Sequence, residues 1–99
     1  MTVKELLKMA AKAAGVEDKF IYIEDSDLDN GAWWNPLEND GDAFTLMVKM
    51  NMHIAVWKDC VDIGFDGYHL EEELITDGDA FAATRRAITR AAAVIGRLL

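Results

Sequence analysis

The sequence predicts an α+β fold: a small, about three-stranded, mostly antiparallel sheet layered with helices in the order α-β-α-β-β-α. Three observations carry this. Apolar residues recur at helical spacing near both ends of the chain. Short β-branched and aromatic runs lie between them, and Lys58-Asp59 joins two of those runs as a hairpin would. Ninety-nine residues, 52% hydrophobic, suit one domain spanning 1–99.

Thr2-Val3-Lys4-Glu5 is a capping-box pattern. Behind it Val3, Leu6, Leu7, Ala10, Ala13 and Ala14 share one helical face, and Gly15 closes the helix. Phe20-Ile21-Tyr22-Ile23 reads as a strand. The polar stretch 24–34 follows as a loop, in which Trp33 and Trp34 fold back toward the body and Pro36 holds the exit. At least one of the two indoles is expected to be structural. Ala43, Phe44, Met47, Val48 and Met50 mark a short helix that ends near Asn51. His53–Trp57 reads as a strand, and Val61, Ile63 and Phe65 alternate with Cys60, Asp62 and Gly64 in another. Gly64 and Gly67 loosen its end. From about Asp79 to Leu98 a long helix places Phe81, Thr84, Ile88, Ala91, Ala92, Ile95 and Leu98 on one side. Arg86, Arg90 and Arg97 sit on the other side, as a solvated face.

Asp-Gly-Asp-Ala-Phe occurs twice, at 40–44 and 77–81. In both copies a helical pattern begins after the second Asp. An aspartate at such a start caps a free N–H for about 1 kcal/mol, and further acids favour the positive end of the helix dipole. Gly41 and Gly78 supply the turn, and each Ala-Phe is expected to send one ring into the core. A metal explains less: no third acid follows either copy in fixed register, and Ca²⁺ needs six to eight oxygens. Asp25-Ser26-Asp27-Leu28-Asp29-Asn30-Gly31 begins like a calcium loop, but Asn30 and Pro36 occupy the positions that need glycine and a bidentate glutamate. The sequences after the two copies diverge at once, which argues against an internal repeat.

Net charge is −8. Residues 17–42 hold nine acids against Lys19, and residues 66–79 hold six more with no base. Direct binding of nucleic acid is not expected from such a chain, because phosphate affinity needs clustered cations. No stretch is long and apolar enough to span a membrane, and MTVKELLKMAAKAAG does not read as a secretory signal. A lone cysteine, Cys60, fits a reducing compartment, so a cytoplasmic location is expected.

Catalytic patterns are missing from the sequence: it has no nucleophile elbow, no H-E-x-x-H and no phosphate-binding glycine motif. Cys60 with His53 or His69 is outweighed by Cys60 as a small apolar residue of a hairpin. The two histidines lack a third ligand at zinc spacing. The expectation is a non-enzyme with no catalytic, cofactor-binding or metal-ligating residues.

Three stretches resemble a known group: Glu5–Gly15, Trp34–Ala43 with its W-N-P-x-x-x-D-x-x-A element, and the alanine-rich run Ala83–Ala92. They are similar to small bacteriophage and prophage proteins of the phage ABA (α/β/α) sandwich family, mostly of unknown function. The resemblance implies a phage-encoded protein with a small antiparallel sheet layered with helices, and it brings no catalytic residues. Charge then suggests the role. Glu24, Asp25, Asp27, Asp29, Glu71, Glu72 and Glu73, with Trp33 as an anchor, are the expected contacts to a host protein with a basic surface. Such a protein would act by binding, as an anti-defence (anti-CRISPR-like) inhibitor that mimics nucleic acid. The alternative is a structural or homo-oligomeric phage module, in which helix faces of neighbouring copies pair.

Overall fold

The computed structural model describes residues 2–16 and 34–99. Six elements follow in chain order: α1 (Val3–Ala14), α2 (Asp40–Lys49), β1 (His53–Val56), β2 (Cys60–Phe65), β3 (Tyr68–Leu74) and α3 (Ala80–Arg97). The architecture is α+β, with a three-stranded antiparallel sheet ordered β1-β2-β3.

Local chemistry sets the boundaries. Thr2 Oγ1 accepts from the Glu5 N–H at 3.1 Å and starts α1. Gly15, with φ +73°, ends it: Val16 and Gly15 donate to the Ala11 and Lys12 carbonyls, the reciprocal pair of a Schellman motif. Lys58-Asp59 forms the first hairpin as expected, closed by the Trp57 N–H on the Cys60 carbonyl at 2.8 Å.

The third strand is where the expectation changes. The predicted strand Phe20–Ile23 lies outside the described residues, and the sheet is completed by Tyr68–Leu74 instead. Asp66-Gly67 is no loose end: both residues have positive φ (53° and 82°), which makes a type I′ turn between β2 and β3. A register shift follows at Ile63/Gly64, so Ile63 opposes Glu71 while Gly64 opposes His69.

Alternation divides the sheet into two faces. Val61 and Ile63 are fully buried on the side that meets α3. Their partners Glu73 and Glu71 share that side. Cys60, Asp62 and Glu72 occupy the other face, which no described helix covers. α3 crosses β2 and β3, whereas β1 has little helix against it.

The most extensive helix contact is α1 with α3, made close by small residues. Ala10 and Ala11 of α1 and Ala91, Ala92, Ala93 and Gly96 of α3 are all buried. Trp34 is 4% exposed and joins the same core, so one indole is structural as anticipated; Trp33 lies outside the described residues. The α2 face is rotated from the predicted one. Leu46 and Ala43 are the residues that bury, while Phe44 and Val48 are exposed. In α3, Ala83 and Ala87 join the core, while Phe81 and Leu98 do not.

Candidate interaction cleft

The two Asp-Gly-Asp-Ala-Phe copies both start helices, but in different registers. In the second, Asp77 and Gly78 take left-handed backbone (φ 56° and 69°), and Asp79 accepts from the Ala82 N–H at 2.9 Å as the cap. In the first the cap is Asn39, which accepts from the Asp42 N–H at 2.8 Å, and Asp40-Gly41-Asp42 already lies in the helix. Asp42 instead accepts from the Asn35 N–H at 2.8 Å, fastening the Trp34-Asn35-Pro36 segment to the first turn of α2. Asn35 in turn accepts from the Leu37 N–H, closing a turn around Pro36.

The expected inward rings are corrected by the structure. Phe44 is 62% exposed and Phe81 is 73% exposed. Both line one apolar cleft of ≈ 480 Å³, with Met47, Ile54, Val56 and Ile88 around them. The cause is geometric. α3 covers β2 and β3 but leaves the helix-facing side of β1 open, so Ile54 and Val56 become one wall. Phe81, Thr84 and Ile88 follow an i, i+3, i+7 spacing down α3 and form another, and Phe44 and Met47 supply the α2 side. The row read from the sequence as one side of the last helix is therefore cleft wall in the first turns of α3 and core at Ala91 and Ala92.

The polar margin of the cleft is Asp40 and Arg85, whose carboxylate oxygen and Nη1 are 2.7 Å apart. The Arg85 Nε also donates to the Leu37 carbonyl at 2.9 Å. Glu38, Asp77 and Asp79 are exposed beside the two helix starts.

The predicted acidic contacts distribute unevenly. Glu24, Asp25, Asp27, Asp29 and Trp33 lie outside the described residues. Glu71, Glu72 and Glu73 do not form one row, because alternation sends Glu72 to the open face and its neighbours to the helix side. Glu73 is held within the molecule: Arg86 Nε donates to it at 2.9 Å and Arg90 Nη1 lies 3.3 Å from its other oxygen. Arg86 and Arg90 are thus not simply a solvated face, as the helical spacing had suggested.

On the open face Cys60 is half-buried at the start of β2. Its sulfur and carboxylate oxygens of Asp62 and Glu72 lie within 4.8 Å of one another, near enough to share a metal ion. Asp62 also accepts from Trp57 Nε1 at 2.8 Å and faces His69 Nε2 at 3.4 Å. Partial burial, then a hydrogen bond to Glu72, then the negative charges of Asp62, Glu72 and Asp59 push the Cys60 thiol above its ordinary pKa. That is the reverse of what an activated thiolate nucleophile needs. Among the described residues no helix is long and apolar enough to cross a membrane.

Sequence reasoning missed the cleft. The signal available to it was a phenylalanine in the opening turns of each of two helices, but only the tertiary structure shows that both rings face one gap. Comparisons of the chain with protein-family models, with curated protein sequences and with solved structures find no match to any of them.

Proposed function

We propose that this protein works without catalysis, by binding a partner protein that presents positive charge. The observation that carries the reading is the disposition of charge. The arginines of α3 that approach the sheet and α2 are answered inside the molecule, Arg85 by Asp40 and Arg86 and Arg90 by Glu73. Acids such as Glu38, Asp66, Glu72 and Asp77 are left at the surface of a chain whose net charge is −8. Surface carboxylates of one sign steer a cationic partner and repel nucleic acid.

Within this class, a phage-encoded inhibitor that occupies a nucleic-acid-binding groove of a host protein fits the fifteen acids against one base in residues 17–42 and 66–79. The phage origin is part of this proposal and comes from the likeness read in the sequence at Trp34–Ala43 and Ala83–Ala92. The test is affinity capture from bacterial lysate, with quantitative mass spectrometry. Basic nucleic-acid-handling proteins should be enriched, and both raised salt and added duplex DNA should release them. Enrichment of neutral or acidic proteins that salt does not release overturns the reading.

A further inference from the structure

Resting on that reading, we infer that the cleft between the two Asp-Gly-Asp-Ala-Phe helix starts is where the partner docks, and that it seats the apolar face of a cationic amphipathic helix. The layer that α3 builds over β2 and β3 stops short of β1, so the open strand, with α2 on the opposite side, frames a slot along a helical floor. Phe44, Met47, Ile54, Val56, Phe81 and Ile88 offer it apolar contact. A helix inserts side chains at i, i+3, i+4 and i+7 into such a slot, and a volume of ≈ 480 Å³ accommodates a few large ones.

Charge selects the occupant. Glu38 and Asp40 stand at one helix start, and Asp77 and Asp79 at the other. With Asp40 answered by Arg85, the other three carboxylates still exceed the roughly half positive charge that each helix start contributes. Among the described residues the base that lines the cleft is Arg85, held by Asp40. A second copy of this chain, at −8, brings charge of the same sign as the rim. So does the chain's own stretch 17–33, with six acids and one lysine. A helix with lysines flanking a leucine stripe matches both the apolar walls and the exposed acids Glu38, Asp77 and Asp79 beside the two helix starts.

The test measures fluorescence anisotropy of three labelled peptides with the full chain: a Lys/Leu amphipathic helix, its Glu/Leu counterpart and a Lys/Ser control without an apolar face. The Lys/Leu peptide should bind at least about tenfold more tightly than either other peptide, and several-fold more weakly when salt rises from about 0.05 to about 0.3 M. Phe81→Ser and Phe44→Ser should each weaken it about tenfold or more. Both rings are exposed, and an unchanged thermal melt confirms that these variants fold. Equal binding by the Phe→Ser variants, with the preference for Lys/Leu over Glu/Leu kept, overturns the cleft while the reading of a basic partner stands. No preference between Lys/Leu and Glu/Leu, or no binding of either, overturns both. Sedimentation that shows a dimer dissolved by Phe81→Ser gives the cleft to a second copy and overturns the proposal.

Discussion

Gly96 of α3 lies so close to the carbonyl group of Met9 in α1 that a Cβ built on the glycine would overlap the Met9 oxygen. This contact sets how closely the two helices cross, and it lets Ala10, Ala11, Ala92 and Ala93 bury without large side chains. In an open helix Gly→Ala would stabilise by about 1 kcal/mol. Here Gly96→Ala must push backbone against backbone and should destabilise by about 2 kcal/mol. Urea denaturation of the variant checks the sign. A stabilised protein would show that the helices separate without cost.

Glu73 and Asp40 each meet an arginine of α3, yet their side chains are 13% and 70% exposed. Glu73→Ala strips the partner from both Arg86 and Arg90 beneath the sheet and should cost about 1–3 kcal/mol. Asp40→Asn removes a solvated pair and should cost less than about 1 kcal/mol. The two chemical-denaturation curves should separate in that order.

The caps should respond by register rather than by motif. Asp79→Ala loses the bond to the Ala82 N–H and should cost about 1 kcal/mol. At the first copy the matching loss falls on Asn39→Ala. Asp42→Ala instead frees the Asn35 N–H, which should loosen the Trp34-Asn35-Pro36 segment. Thermal melts of the three variants, with amide exchange at Asn35, distinguish these roles.

Cys60 holds its proton more tightly in the folded protein than in the unfolded chain. Alkylation by iodoacetamide should therefore begin at higher pH in the native protein than in denatured protein. Glu72→Gln and Asp62→Asn should move the pH–rate curve back toward lower pH, since each removes a negative charge near the sulfur. The linkage sign follows. The contribution to stability is present below the ordinary thiol range and is lost as pH rises through the raised pKa. A native curve that coincides with the denatured one would contradict the environment described here.

Much of the scaffold was legible because local rules decide it. The Thr2 cap, the Gly15 closure, the Lys58-Asp59 hairpin and the alternation of Val61 and Ile63 each depend on residues within one turn of the chain. Asp66-Gly67 belongs to the same class of signal, but the acid-rich Tyr68–Leu74 that follows it does not look like a strand. Its acids become intelligible once Arg86 and Arg90 are placed over Glu73, a contact between elements that are distant in sequence.

By itself, then, the sequence determined the ends of the first helix, the Lys58-Asp59 hairpin and the start of the last helix, and that the molecule carries a large excess of negative charge. Tertiary structure alone decided what Phe44 and Phe81 face. Helical periodicity shows which side chains share a side, but whether that side meets a neighbour depends on how far another element extends. In this fold α3 reaches across β2 and β3 and leaves β1 bare, so two rings at core-like positions stand in an open cleft.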